Sequence, residues 1–186
     1  MKDSKAALDT AGNGQPRVLV ADHNRTNLAV MMRRISEAGY RVTAADSGAN
    51  AIAELHRKDF DLVIAELYMP RIDGAELTRA IREQAQWRDL PVMLITGKSA
   101  PQGAVRAYEA GADDVILKPF HFEVLIARIE RRLARVRLTD ALRDDVAALD
   151  ARIATRAIEL GEMRDRWIAA ETERLRLAAL VDRGPA

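Results

Sequence analysis

The chain contains no cysteine, which excludes a disulfide framework and thiolate chemistry and fits a reducing compartment. No stretch approaches the roughly 20 apolar residues that span a bilayer, and residues 1–15 lack the apolar core of a signal peptide. The formal net charge is only +1, so no overall field attracts nucleic acid or an anionic membrane. We therefore expect a cytoplasmic protein that binds neither nucleic acid nor membrane.

Enzyme motifs are also missing. The sequence has no glycine-rich phosphate loop, no catalytic triad pattern and no zinc-ligand spacing. We therefore expect no enzymatic activity and no cofactor. At 186 residues, 48% of them hydrophobic, the chain is long enough for one well-buried domain and an additional element.

Short apolar runs alternate with amphipathic segments from Arg17 onward. The runs span residues 18–21, 40–44, 62–65, 92–95 and 115–117, and the predicted helices span 26–38, 49–56, 74–85 and 103–110. Three runs are continuously apolar, as in strands of a parallel sheet buried on both faces. This alternation predicts an α/β fold with a doubly wound (βα)5 parallel sheet. Residues 1–15 are small and polar, and we predict that they are disordered.

In doubly wound sheets the functional site lies beyond the carboxyl ends of the strands. The residues at those positions are Asp22, His23, Glu66, Thr96 and Lys118. The surrounding segments read VLVADHN, DLVIAELYMPRIDG, PVMLITG and GADDVILKPF. Together they resemble the response-regulator receiver domains of two-component signalling, which implies a flavodoxin-like receiver fold over residues 16–137.

The resemblance implies a role for each site residue. Asp22 and His23 match the acidic pocket, Glu66 the phosphoacceptor, Thr96 and Lys118 the phosphate contacts, and Val115 the aromatic switch position. The family has an aspartate at the acceptor position, a second acid at the position of His23 and usually Tyr or Phe at the position of Val115. These three departures set the chain apart from a regulator of the usual kind.

The departures predict that magnesium binding is weak or lost. Imidazole is a poor ligand for Mg²⁺, which prefers oxygen in octahedral geometry. The site keeps Asp22, Glu66 and the backbone carbonyl of Tyr68 as a degenerate metal site. Glu66 also moves the acceptor carboxylate by ~1.5 Å, and misplacement on the order of 1 Å can cost ~100-fold in rate. Two interpretations of Glu66 stay open. It is either a partial phosphoryl mimic that pairs with Lys118 and Thr96, or the mark of plain loss of phosphorylation, with a salt bridge to Lys118 that has no signalling role.

The last third of the chain predicts a long helix. Between Phe122 and Asp182 there is no proline, and the only glycine is Gly161. A heptad pattern follows a joint near residues 137–142, and it predicts a coiled-coil dimerisation helix over 138–186. The predicted dimerisation residues are Leu142, Val146, Leu149, Ile153, Leu160, Met163, Trp167, Leu177 and Val181. The continuous heptads favour a parallel dimer; a hairpin at Gly161, which would give a helical bundle, is the alternative.

These features predict an atypical response regulator that is not phosphorylated in the usual way and acts as a dimeric protein–protein signalling adaptor. Its expected partners are a second copy of the chain and a sensor histidine kinase or another regulator. One alternative is a phosphorylatable single-domain regulator with an unusual acceptor. The other is a truncated relative of an HD-GYP-type regulator without its output domain, because LDARIATRAIELGEMRDRW is similar to the helical linker of those proteins.

Overall fold

A computed structural model describes residues 14–97 and 101–181, so most of the segment predicted to be disordered lies outside the described residues. The strands are β1 Arg17–Ala21, β2 Arg41–Ala45, β3 Leu62–Glu66, β4 Val92–Thr96 and β5 Asp114–Leu117. The helices are α1 Arg25–Glu37, α2 Gly48–Arg57, α3 Gly74–Glu83, α4 Pro101–Glu109 and α5 Phe122–Val181. The chain divides into two compact units between Val136 and Arg137.

The first unit contains one sheet whose strands are all parallel in the order β2-β1-β3-β4-β5. This confirms the predicted doubly wound sheet. Every residue of β3 and β4 is buried, because helices cover both faces of the sheet. Two apolar clusters fill the spaces between the sheet and the helices on either side. The order of the strands reverses at β1 and β3, which places the switch point between the carboxyl ends of these two strands.

Polar residues at the strand-to-helix turns start the helices next to the site. Asn24 accepts hydrogen bonds from the backbone N–H groups of Thr26 and Asn27 at the start of α1. Asp73 and Glu76 form a reciprocal capping box at the start of α3. Each cap satisfies N–H groups that have no partner within the helix.

Two helix boundaries differ from the prediction by two residues, and the others agree within one residue. Helix α3 ends at Glu83 rather than at residue 85, because Gln84 has an extended backbone and a short 3-10 helix, Ala85–Trp87, follows it. Helix α4 begins at Pro101 rather than at residue 103. Proline is well suited to a first helical position, since its missing N–H would have no partner there.

Tight packing holds α3 against the end of β3. A β-carbon on Gly74 would lie 2.6 Å from the carbonyl oxygen of Glu66 and 3.0 Å from a methyl group of Leu94. Only glycine therefore fits at this point. The close approach fixes the turn that presents Glu66 at the carboxyl end of β3.

The second unit consists of the α5 residues after Val136. Helix α5 continues through Gly161 without a break, so the alternative of a hairpin at this residue is wrong. A glycine inside a helix costs only ~1 kcal/mol, and no proline or other turn signal accompanies Gly161. The described side chains among the predicted dimerisation residues are exposed in the single chain, from 53% for Leu149 to 66% for Trp167. The side chain of Val181 lies outside the described part. No helix in the described part of the chain is long and apolar enough to cross a membrane.

Candidate functional site

The sequence-predicted site residues come together at one edge of the sheet. Asp22 directly follows β1, Glu66 and Thr96 end β3 and β4, and Lys118 directly follows β5. The parallel strands bring these positions to the same edge. Asp22, Glu66 and Thr96 are buried, whereas the side chain of Lys118 is one-third exposed.

Lys118 forms the central contact of the site. Its Nζ donates a hydrogen bond to Oε2 of Glu66 and lies 3.8 Å from Oδ2 of Asp22. The other oxygen of Glu66, Oε1, accepts a weak hydrogen bond of 3.4 Å from the backbone N–H of Tyr68. One ammonium group is thus shared between two buried carboxylates.

A backbone contact fixes the position of Asp22. Its Oδ1 accepts a hydrogen bond of 2.8 Å from the N–H of Asn24, and its own N–H donates to the carbonyl oxygen of Ala45. Because one carboxylate oxygen is occupied by the backbone, Oδ2 is the oxygen that faces Lys118. The turn that caps α1 therefore also orients the acid.

His23 is separated from the rest of the site. Its Nδ1 lies 3.7 Å from Oδ1 of Asp22, which is too far for a hydrogen bond, and its side chain is 47% exposed. Over the described ranges, no group of three or more His, Asp or Glu side chains is placed to hold a metal ion. The oxygen donors of the predicted degenerate metal site are the two carboxylates that share Lys118 and the carbonyl of Tyr68.

Thr96 does not make the contact predicted for it. Its Oγ1 is buried and has no hydrogen-bond partner among the residues that the structure describes. The predicted pairing of Glu66 with both Lys118 and Thr96 is therefore wrong for Thr96. The long flexible stem of lysine can reach the carboxylate, whereas a threonine hydroxyl is fixed one bond beyond its β-carbon on a buried strand. Val115, the switch-position residue, is buried in the apolar cluster that also contains Leu94 and Ala107.

Several contacts around the site were missed in the sequence analysis. Arg106 on α4 forms an ion pair of 2.5 Å with Asp73, the capping residue of α3. Arg71, in the turn before Asp73, has a φ of 69°, which non-glycine residues rarely adopt. The D-x-x-E pattern of Asp73 and Glu76 was a readable signal for the cap. The partner Arg106 lies 33 positions away, and no local pattern reveals it.

Two cavities adjoin the strands that carry the site. One, of about 540 Å³, lies beside Asp22 and Lys118 and is lined mainly by apolar side chains such as Met31 and Phe120. The other, of about 310 Å³, is lined by Asp114 and by Arg128, Arg131, Arg132 and Arg135 of α5. Arg128 forms an ion pair of 2.7 Å with Asp114 inside this second cavity. No sequence pattern predicted either cavity.

Comparisons with known proteins agree with this geometry. A protein of Vibrio cholerae named a probable cyclic di-GMP phosphodiesterase is 31% identical over 156 residues, which cover 84% of this chain and 35% of that protein. The response regulator MprA of Mycobacterium leprae is 33% identical over 156 residues, which cover 82% of this chain and 66% of that protein. The chain thus spans between one third and two thirds of the length of these relatives.

Solved structures show the same fold. The chemotaxis protein CheY4 of Vibrio cholerae has a TM-score of 0.60 and 28% identity, covering 63% of this chain and 98% of that one. The receiver domain of the sensor histidine kinase PA1611 of Pseudomonas aeruginosa, with a magnesium ion coordinated in its active site cleft, has a TM-score of 0.61 and 26% identity; the match covers 65% of this chain and 99% of that one. The family model for the response regulator receiver domain matches residues 18–130. With this match over more than half of its length, the chain belongs to the response regulator receiver family of two-component signalling.

Proposed function

We propose that the chain is a receiver that signals without phosphorylation of its acceptor position, as a dimeric adaptor. The observation that carries the proposal is the ion pair between Lys118 and Glu66, with Asp22 as the second carboxylate. In phosphoryl transfer to a carboxylate, a metal ion neutralises the phosphoryl oxygens and the acceptor must be free and in line. In this site the acceptor is engaged by the lysine that would hold the product.

The charges of the site support this proposal. Two buried carboxylates and one ammonium group carry a formal charge of −1, so a single lysine offsets half of the negative charge. In an acidic pocket without this pairing, a divalent cation is the usual counter-ion. Here Mg²⁺ would compete with Lys118 for Glu66 and would find imidazole at His23 instead of a third carboxylate.

Glu66 reproduces only part of a phosphoryl group. A carboxylate carries one charge and two oxygens, whereas a phosphoryl group carries nearly two charges and three oxygens. Glu66 contacts Lys118 but leaves Oγ1 of Thr96 without a partner in the described chain. We therefore favour a receiver held in one state over a full mimic of the phosphorylated state.

The second half of the proposal is dimerisation through residues 138–181, which carry the heptad pattern. A lone helix leaves the apolar stripe exposed, as it is in the single chain, and such a stripe is far larger than soluble surfaces usually carry. A second copy of the chain carries the same stripe and can cover it without any other protein. The receiver unit then binds a sensor histidine kinase or another regulator, and the chain itself catalyses no reaction.

The extent of the two matches supports a second candidate. The similarity to the Vibrio cholerae phosphodiesterase covers 156 residues, more than the receiver model at 18–130, so it includes part of the helical segment. The match to MprA of Mycobacterium leprae extends about as far, so the observation supports a chain in which α5 joins the receiver to an output domain. The similarity of LDARIATRAIELGEMRDRW to the linker of HD-GYP-type regulators favours that type of output domain. The phosphodiesterase activity is not carried over, because the chain spans only 35% of that relative.

Acetyl phosphate with Mg²⁺, followed by intact mass spectrometry, tests the first half of the proposal. We expect no added phosphoryl group on the wild-type chain. The double variant His23→Asp with Glu66→Asp, which rebuilds the family's acids, serves as the matched control and is expected to gain the adduct. A stoichiometric adduct on the wild type that hydroxylamine removes would show that the chain is a phosphorylatable regulator with an unusual acceptor.

A further inference from the structure

The helical segment 138–181 has an unusual set of predicted core residues. The alternating spacing of three and four residues that joins the predicted dimerisation residues also places Arg156, Ala170 and Arg174 at core positions. Arg156, Trp167 and Arg174 are all exposed in the single chain. Because α5 is unbroken, each core position keeps its place in the heptad along the whole segment. The pairing of two copies must therefore accommodate two arginines and one tryptophan from each copy in the same interface.

We propose that two copies pair antiparallel, so that Leu160 of one copy faces Met163 of the other at the centre of the interface. This proposal rests on the proposed dimer and specifies its geometry. It replaces the parallel arrangement that the continuous heptads alone favoured. In this register, a core residue of one copy faces the core residue of the other copy whose residue number brings the total to 323, as for Leu160 and Met163.

A parallel pairing places each core residue against its own copy. Arg156 would face a second Arg156, and Arg174 would face a second Arg174, so like charges meet twice inside the interface. The two Trp167 rings would also have to share one layer. Buried like charges oppose association, and polar core residues are the positions that decide orientation and register in coiled coils.

The antiparallel pairing removes all of these conflicts. Arg156 faces Trp167, where a guanidinium group over an indole ring gives a cation–π contact. Arg174 faces Leu149 near the end of the interface, so its stem packs on leucine while the charged group reaches water. The other layers join an apolar residue with an apolar residue: Leu160 with Met163, Ile153 with Ala170, and Val146 with Leu177.

Charges beside the core select this register among the antiparallel ones. The residues that flank the seam pair Glu159 with Arg166 and Arg152 with Glu173, each twice. A slide by one heptad in either direction places Glu159 against a glutamate, either its own copy or Glu173. One kind of like-charged pair remains, Asp150 with Glu171, and it also occurs twice. Glu171 is already neutralised in its own helix by Arg174 at 2.6 Å.

The absence of cysteine makes the orientation directly measurable. Two full-length single-cysteine variants, Ile153→Cys and Ala170→Cys, are purified, mixed, allowed to exchange and oxidised. We expect disulfide-linked dimers only in the mixture, because residues 153 and 170 face each other across the interface. In each variant alone the two cysteines are about 25 Å apart at 1.5 Å per residue, so no cross-link forms.

The outcomes separate this inference from the proposed dimer. Cross-linking of each variant with itself would show a parallel pair and overturn the antiparallel arrangement while the dimer stands. A dimer by light scattering that gives no cross-link in the mixture would overturn the register. A monomer by light scattering would overturn the proposed dimer and the inference with it.

Charge reversal gives an independent test. Glu159→Arg alone should raise the dimer dissociation constant by roughly 2- to 30-fold, because two attractive pairs become repulsive. Adding Arg166→Glu restores both pairs in the antiparallel arrangement and should return the constant to near the wild-type value. In a parallel pair Glu159 meets Arg164 and Arg166 meets Glu171, so the double variant would be weaker than either single variant.

Discussion

Substitution of Lys118 tests whether Glu66 and Asp22 share one ammonium group. In Lys118→Met, Glu66 and Asp22 remain as buried carboxylates, 8% and 5% exposed, without their shared ammonium group. Breaking a buried ion pair costs ~3–5 kcal/mol. The side chain of Lys118 is one-third exposed, so solvent screens part of this cost, and we expect a loss of ~2–3 kcal/mol.

Substitution of the partner residue, Glu66, should lower the free energy of unfolding by less. In Glu66→Gln the amide keeps the shape of the side chain, and Lys118 retains Asp22 at 3.8 Å. We therefore expect a loss of ~1 kcal/mol, the net contribution of a typical hydrogen bond. The double variant should be more stable than the sum of the two losses predicts, because residues in contact do not contribute independently.

Urea unfolding measures these differences. It must be followed at one fixed protein concentration, since association with a second copy shifts the apparent stability. With a slope of ~1–3 kcal/mol per molar urea, the Lys118→Met midpoint should fall by ~1–2 M and the Glu66→Gln midpoint by less. Arg33→Met, which removes an exposed ion pair with Glu37 on α1, is the control and should leave the midpoint nearly unchanged. A Glu66→Gln loss equal to that of Lys118→Met, or full additivity in the double variant, would refute the shared-cation model.

Three further outcomes are expected. A chain ending at Val136 should fold and be monomeric or weakly associated by light scattering, because it lacks residues 138–181. A truncated chain that dimerises as tightly as the full chain would contradict the dimerisation role of the helix. Thr96→Val should raise the free energy of unfolding, measured in urea, by ~1 kcal/mol, because the hydroxyl it replaces has no hydrogen-bond partner within the described ranges. A decrease of similar size would show that the hydroxyl does form a hydrogen bond. His23→Asp should lower the thermal midpoint without Mg²⁺ and regain it with Mg²⁺, whereas Mg²⁺ should leave the wild-type midpoint unchanged.

The fold was predictable because its signal is local and repeated. The apolar runs at 62–65 and 92–95 became strands buried on both faces, and the residues after each run became the site. Helix boundaries were less accurate where a weak local preference decides them. Neither Gln84 nor Ala85 is a strong helix breaker, so the sequence did not show that α3 ends there and a 3-10 turn follows.

The contacts within the site were less predictable than its residues. Lys118 and Glu66 were expected to meet because both follow strands of one sheet edge. The missing bond of Thr96 depends on where a buried hydroxyl points, which sequence spacing does not specify. The arginine-lined cavity requires Arg128 and Arg132 on α5 to meet the β5 region, and such pairs are separated by 14 and 19 positions. Gly161 was ambiguous because one glycine is compatible with both a continuous helix and a turn.

Glu66 and His23, which both differ from the residues of the receiver family, can be understood as one electrostatic change. An acid at position 23 would give the site three carboxylates against the single ammonium group of Lys118, a formal charge of −2 that a divalent cation would offset. With histidine there, two carboxylates remain, and the longer side chain of Glu66 reaches Lys118 directly. The site thereby carries a formal charge of −1 without a metal ion, instead of −2.

The prediction for His23→Asp follows from this change. The new carboxylate adds repulsion beside Asp22, partly screened because position 23 is 47% exposed, so we expect a cost of ~0.5–1 kcal/mol without metal. It also restores a third carboxylate, and Mg²⁺ binding to the folded state alone stabilises that state in proportion to the logarithm of the Mg²⁺ concentration. Thermal unfolding with and without Mg²⁺, with Ca²⁺ as a second cation, measures both effects. A wild-type chain stabilised by Mg²⁺ as much as the variant would show that Lys118 does not replace the metal ion.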